Sequence, residues 1–345
     1  MSETNRRKDG PVRAVLALLV VLALVLCLPS CAAADRSPST QAAPAEPAPS
    51  QARGAVQAPV VAAEWQPLRA ALAKDGLSGP RVDALLAQLA PRTPDPMGRK
   101  MVELYRKNFI PSPKPPRPGK DDVYRNVVTK ANAQLCLDYI ARHKAAFARA
   151  ERAYGVPPSV AASLLFVETR LGRVLRDVPE NALHTLASMS QSTTMASIEG
   201  WLGKMPGHER HQDWFARTMP KRADWAYRET RALVRYMLDN NITADRLPGS
   251  IYGAIGLCQF MPSNIGAYGV DGSGDGVIDL YTADDAVMSL SNYLHKHGWK
   301  ASSPRGDRHR VLMRYNKSVR YANTILALAD LVEQTHKPAR KGAGR

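Results

Sequence analysis

From about residue 63 onward, apolar positions recur at three- and four-residue intervals, and few stretches alternate strictly between apolar and polar. That spacing predicts amphipathic helices and leaves little room for sheet. "RVDALLAQLA" and "GRKMVELYRKNFI" each carry it, separated by proline-rich sequence that predicts a turn. A longer helical pattern runs from about Val123 to Ala153. "YGVPPSVAASLLFVETRLG" places proline at a helix start and Gly172 at its end, the usual asymmetry of helix termini. The pattern returns in "WAYRETRALVRYMLDN", "TADDAVMSLSNYLHKHG" and "YANTILALADLVEQTH". Any strands are expected to be short and to fall near residues 245–280. No internal repeat is visible, and the class is mainly α (α+β) with a small β element.

The N-terminal pattern is of another kind. "RRKDGPVR" is basic, and the apolar run "AVLALLVVLALVLCLPSC" that follows has the length of a signal-peptide core and is short for a membrane span. It ends in Leu28 to Cys31, "LPSC", which resembles a bacterial lipobox with Cys31 as the lipidated residue. Pro29 is unusual there, so ordinary cleavage nearby stays open. Either route exports the protein, with a periplasmic location and an outer-membrane anchor through Cys31 as the expectation. Residues 32–62 are rich in Ala, Pro, Ser and Gln and cannot bury enough apolar surface to offset chain ordering, so they predict a disordered tether. The division expected is therefore 1–31 signal peptide and lipobox, 32–62 tether, 63–336 folded domain and 337–345 basic tail.

Charge narrows the partners. With 47 Lys and Arg against 31 Asp and Glu, the chain carries a formal charge of +16. An exported basic protein suits an anionic envelope polymer or lipid surface, and nucleic acid is not an expected partner. Once Cys27 and Cys31 are set aside, Cys136 and Cys258 remain, too few for a disulfide framework. They either pair with each other or lie as two buried thiols.

Three segments carry candidate chemistry. Along the helix around Glu168, the residues Val160, Leu164, Leu165, Val167 and Leu171 share one arc, and Glu168 falls within it. A carboxyl among Leu and Val must find a cationic or helix-terminal partner or hold a proton. "GAIGLCQFMPSNIGAYG" crowds glycines around Gln259 and Phe260, and "RYNKSVRYA" adds tyrosines and an asparagine suited to sugar faces and hydroxyls. Each of these also reads as ordinary packing. "DGSGDGVIDL" opens like an EF-hand loop, with Asp271, Ser273 and Asp275 at positions one, three and five, Gly276 at six and the Val277 carbonyl at seven. Thr282 stands where a bidentate Glu would close the cage.

In order and in wording, "YGVPPSVAASLLFVETRLGR", "GAIGLCQFMPSNIGAYGVDGSGDGVIDLYTADDAVMSLSNYLHKHGW" and "MRYNKSVRYA" resemble the lytic murein transglycosylase B family, from about residue 65 to 335. The resemblance implies a lysozyme-like core with an extra helical subdomain, a monomer acting on peptidoglycan glycan strands, and no cofactor in catalysis. It implies Glu168 as the single general acid and base, yielding a 1,6-anhydromuramoyl product. Gln259 and Phe260 would line the groove, Ser250 would reach substrate near Glu168, Asn316 and Tyr321 would contact the sugar, and Tyr105 would come over the groove. It also implies a lengthened structural Ca2+ loop, with Asp285 completing the set of Asp271, Ser273, Asp275 and Val277. Asp284 is the competitor for that place, and Asp279 a holder of a ligand water. The stretches 111–120 and 201–228 look inserted, and Cys258 is unexpected beside Gln259. A lysozyme-type muramidase and a catalytically silent wall-binding lipoprotein are the alternatives.

Overall fold

The computed structural model describes residues 59–113, 119 and 122–336. The stretch read as signal peptide with Cys31, nearly all of the stretch read as tether, most of the Pro/Lys segment and residues 337–345 lie outside the described residues. Thirteen α-helices follow one another: α1 (Gln66–Lys74), α2 (Pro80–Ala87), α3 (Asp95–Phe109), α4 (Lys130–Arg142), α5 (Lys144–Tyr154), α6 (Pro158–Thr169), α7 (Ala182–Ser190), α8 (Glu199–Leu202), α9 (Gln212–Asp239), α10 (Pro262–Tyr268), α11 (Ala283–Lys296), α12 (Arg305–Tyr315) and α13 (Val319–His336).

Helix α6 is the hub. It packs on α4, α5, α11 and α13, and from Ser159 to Phe166 every residue is buried. The single apolar arc expected from its sequence is therefore absent, because Ser163 and Phe166, assigned to the opposite side, are buried too. A helix enclosed on all sides selects small and apolar residues all round, and periodicity then carries no facing information.

The long pattern from Val123 to Ala153 is two helices. Thr129 caps α4, its hydroxyl accepting from the Asn132 N–H at 3.2 Å, and the chain turns at His143. The break lets α4 pack on α6 and α13 while α5 packs on α11. Conversely, α9 begins well before the predicted "WAYRETR" segment and runs through Pro220. Phe215, Met219, Ala223 and Ala226 recur at helical spacing and are all buried, so packing offsets the hydrogen bond that proline removes.

That extension of α9 builds a satellite core with α3 and α8. Met97, Met101, Tyr105, Ile198, Met205, Phe215 and Met219 fill it, edged by Trp201, Trp214 and Trp225. Residues of the stretch 201–228 thus supply much of this satellite core. In place of the expected small β element, the described residues show isolated bridges: Asn181 with Pro248, Gly249 with Ile255, and Ile255 with Phe260. Positive φ at Gly253, Gly256 and Gln259 turns the backbone before a ladder can extend.

Candidate active site

Glu168 occupies the last turn of α6, and the local sequence explains why the helix stops there. The Thr169 hydroxyl donates to the Leu257 carbonyl at 2.9 Å and accepts from the Gly172 N–H at 3.0 Å. Arg170, Leu171 and Gly172 then take left-handed conformations in succession, with φ of 49°, 60° and 86°. The expected terminus at Gly172 is thus three residues later than the helical end at Thr169. Two non-glycine residues held at positive φ are costly and persist only where surrounding contacts fix them. Here the Leu171 N–H closes the terminus onto the Leu165 carbonyl at 3.2 Å.

The partner of this terminus is the turn between Ile255 and Phe260, which pair through two backbone hydrogen bonds of 2.8 and 3.0 Å. Gly256 is required: its φ is 72°, and a Cβ there would meet the Leu280 Cβ at 2.4 Å and its carbonyl oxygen at 2.6 Å. Gln259 closes the turn at φ 52°, its side-chain amide donating to the Gly256 carbonyl at 3.1 Å. Tyr315, at the end of α12, donates its hydroxyl to the Cys258 carbonyl. The turn is thereby held from α6 and from α12.

Helix α13 supplies the direct neighbour of the carboxyl. Tyr321 has 0% exposure, and its hydroxyl donates to Glu168 Oε1 at 2.5 Å. Glu168 itself is partly exposed at the edge of this assembly. Burial pushes its carboxyl up to about 7, and the Tyr321 hydrogen bond pulls in the opposite direction. Its place at a helix C-terminus further disfavours the ionised form. Among the described residues it has no ion-pair partner. Of the two outcomes open from sequence, a paired carboxylate or a proton-holding acid, the surroundings favour the second.

The other sequence-derived residues divide. Gln259, Asn316 and Ser250 are partly exposed. Ser250 Oγ accepts from the N–H groups of Tyr252 and Ala254 at 3.3 and 3.0 Å, which shapes its own turn. Phe260 is 1% exposed and faces Tyr268, Tyr293 and Tyr315. It packs among these rings beneath the turn, with almost no exposed surface. Tyr105 is also 1% exposed, bonded to the Pro206 carbonyl at 2.7 Å and stacked on Phe215 within the satellite core. Cys136 and Cys258 are both buried free thiols, each pushed up to about 12 by burial.

Four residues were missed from sequence. Tyr315 lies inside the quoted "RYN" segment, and Thr169 directly follows Glu168, so both were within reach. Glu229, 6% exposed on α9, accepts the backbone N–H and hydroxyl of Ser263 at 2.9 and 2.8 Å and so anchors the start of α10 just beyond Gln259. Nothing in an amphipathic helical pattern distinguishes it. Tyr124 follows the Pro/Lys loop, its N–H donating to Thr324 on α13 at 2.9 Å, with a buried phenol that has no hydrogen-bond partner among the described residues.

The acidic loop between α10 and α11 is closed by its own backbone. Asp271 accepts the N–H groups of Gly274 and Gly276 at 2.6 and 2.8 Å, and these hold its carboxyl below the ordinary value. Asp285, 1% exposed, accepts from Gly272, Ser273 and Asp279 at 2.8, 3.1 and 2.6 Å, yet burial still pushes its carboxyl up. Asp284 pairs instead with Arg149 of α5. Asp275 accepts from the Val277 N–H at 2.9 Å. Among the described residues no three His, Cys, Asp or Glu side chains converge as a ready metal cage. The donor chemistry nevertheless fits a hard cation: the side chains are all oxygen donors, and Asp285 is a buried carboxyl with no ion-pair partner among the described residues.

The fold is almost wholly helical, and Glu168 at the end of α6 is faced by the glycine turn at Gly256 and by Tyr321 of α13. The profile described as Transglycosylase SLT domain matches residues 61–308, and the chain belongs to that family. The membrane-bound lytic murein transglycosylase B of Escherichia coli (strain K12) is 31% identical over 175 residues, 51% of this chain. The chain spans 41% of the length of that relative. The Escherichia coli lytic transglycosylase SLT35 in complex with bulgecin A superimposes with a TM-score of 0.58 at 22% identity, covering 79% of this chain and 92% of that one. The same protein in complex with calcium gives 0.56 at 23% identity over the same shares. SltB3 from Pseudomonas aeruginosa, in complex with NAG-anhNAM-pentapeptide, gives 0.58 at 18% identity over 78% of each chain.

Proposed function

We propose that this chain is a lytic transglycosylase that cleaves the β-1,4 bond between N-acetylmuramic acid and N-acetylglucosamine in peptidoglycan and leaves a 1,6-anhydromuramoyl end. The observation that carries this reading is Glu168, a carboxyl raised to about 7 with Tyr321 as its hydrogen-bond donor and no cationic partner among the described residues. Glycoside hydrolysis by the common routes needs two carboxylates. A single one suffices when the attacking oxygen belongs to the substrate.

Tyr321 engages one carboxyl oxygen, so the other carries the proton toward the glycosidic oxygen. Donation of that proton releases the leaving sugar. The resulting carboxylate then takes the proton of the muramic acid 6-hydroxyl as its oxygen closes on C1, and Glu168 is protonated again at the end of the cycle. Intramolecular attack carries a large effective-molarity advantage, and an acid poised near neutral pH suits both steps. Gln259, Asn316 and Ser250 offer polar groups to the sugar, and Tyr315 keeps the Gln259 turn in place.

Calcium, if bound, would be held by Asp271, Ser273, Asp275, Val277 and Asp285, where it would tie the loop to α11 and offset the buried Asp285 charge. Its role is structural. The family, the +16 charge and the lipobox-like Cys31 together support an envelope enzyme anchored to the outer membrane. Among the described residues, no helix is long and apolar enough to cross a membrane.

The test is digestion of purified sacculi by wild type and by Glu168→Gln. Wild type is expected to release anhydromuropeptides, and a folded Glu168→Gln protein to release none. Full activity in that variant would remove Glu168 from the role.

A further inference from the structure

Tyr252 has no part in the proton transfers at Glu168, yet it is an aromatic residue set in a tight turn that runs into the Gln259 turn. The segment from Ser250 to Ala254 closes on itself: the Ser250 N–H donates to the Ala254 carbonyl at 2.9 Å, and the Gly253 N–H to the Ser250 carbonyl at 2.8 Å. Gly253 rests on α7, since at its φ of 82° a Cβ would meet Leu186 Cγ at 2.4 Å. Ile255 then bridges back to Gly249 and forward to Phe260, which joins this turn to the one carrying Gln259. That second turn meets the end of α6 at Leu257, whose carbonyl accepts the hydroxyl of Thr169 next to Glu168.

The Tyr252 side chain ties these linked turns to α3. Its hydroxyl donates to Glu103 Oε2 at 3.0 Å, and the Lys100 ammonium meets the same oxygen at 3.1 Å. Lys100 Nζ also lies 4.5 Å from the centroid of the Tyr252 ring, close enough for attraction to the ring face. Each of the three groups therefore touches the other two, and all three side chains are half-buried. Burial and the adjacent Glu103 carboxylate push the Tyr252 phenol up, so it stays a donor. Lys100 and Glu103, three residues apart, share one side of α3. Met97, Met101 and Tyr105 of the same helix fill the satellite core.

We propose that Tyr252 is a positioning residue: clamped by Glu103 and Lys100 of α3, it sets the Ser250 turn and, through Ile255, the Gln259 turn. The satellite core thereby governs substrate affinity through the turns that present Ser250 and Gln259. The kinetic consequence rests on the proposed strand-cleaving activity, whereas the clamp itself does not. Loosening groups that hold the sugar alike before and during the reaction raises KM and leaves kcat in place. Glu168 keeps its Tyr321 donor, so the alkaline limb of the pH profile stays where it is.

The test compares wild type with Tyr252→Phe, Glu103→Ala, Glu103→Gln and the Tyr252→Phe/Glu103→Ala double variant, in steady-state cleavage of soluble glycan strands and in amide hydrogen exchange. Tyr252→Phe and Glu103→Ala are each expected to raise KM by about three- to tenfold, the scale of one hydrogen bond, with kcat and the alkaline limb unchanged. The double variant should be no worse than either single one, because both remove the same contact. Glu103→Gln, which keeps an acceptor for the Tyr252 hydroxyl, should stay closer to wild type than Glu103→Ala. Residues 249–260 should exchange faster in Tyr252→Phe than in wild type. An unchanged KM in Tyr252→Phe, a double variant in which the two effects add, or exchange of 249–260 at the wild-type rate overturns the proposal. If wild type cleaves no strand, the proposed activity falls, and the exchange of residues 249–260 alone decides the clamp.

Discussion

Replacing Tyr321 by Phe isolates the one hydrogen bond that acts on Glu168. The ring stays in its fully buried place and only the donor to Glu168 is lost. Burial raises the Glu168 carboxyl and the tyrosine hydroxyl moderates the rise, leaving it at about 7. A hydrogen bond to a charged group is worth about 1.5–3 kcal/mol, and about 1.36 kcal/mol corresponds to one pH unit. Its removal should move the carboxyl upward by about 1 to 2 pH units. The resting enzyme needs Glu168 protonated, so activity falls as pH rises through its pKa. In Tyr321→Phe that alkaline limb should move to higher pH, even as the maximal rate drops because the carboxyl is no longer oriented. The assay is initial-rate release of anhydromuropeptides from sacculi across pH for both proteins. A limb that stays in place or moves to lower pH would refute the role given to Tyr321.

The same carboxyl links activity to stability. A folded-state value of about 7 against an ordinary 4.5 gives stability that is fully present below 4.5 and lost as pH rises through about 7. Glu168→Gln removes that penalty, so urea melts at alkaline pH should show it more stable than wild type by up to about 3 kcal/mol, with no gain under strongly acidic conditions. Gln259→Gly relieves a left-handed non-glycine residue, about 1 kcal/mol, but loses the side-chain hydrogen bond to the Gly256 carbonyl, about as much, so stability should change little while turnover slows; unchanged turnover would show that the side chain does not serve the reaction. For the acidic loop, calcium should raise the melting temperature of wild type and of Asp284→Asn but not of Asp285→Asn. A retained calcium response in Asp285→Asn would dismiss that ligand.

The helical order of α2 and α3 was legible because each buries one face and exposes another, which is the condition periodicity detects. Helix α6 escapes it, since a helix enclosed on all sides has no facing pattern. The break at His143 carries no glycine or proline and follows from the separate packing of α4 and α5. The continuation of α9 through Pro220 goes against local propensity because Phe215 and Met219 pack on the far side. The apolar setting of the Glu168 carboxyl and the place of Asp285 on the first turn after the acidic loop were legible. Tyr105 and Phe260 were not, because an aromatic residue beside a motif reads alike whether it faces a groove or a core. Glu229 and Tyr315 act through partners distant in sequence, Ser263 and Cys258, that local pattern does not connect.

The central claim is that one carboxyl serves both proton transfers and that the new bond at C1 is made by the substrate's own hydroxyl. Digestion of sacculi in water enriched in heavy oxygen, followed by mass spectrometry of the released muropeptides, tests it most directly. The account predicts anhydro ends lighter than reducing ends by one water and carrying no solvent oxygen. Reducing ends labelled with heavy oxygen would contradict it and make the protein a hydrolase.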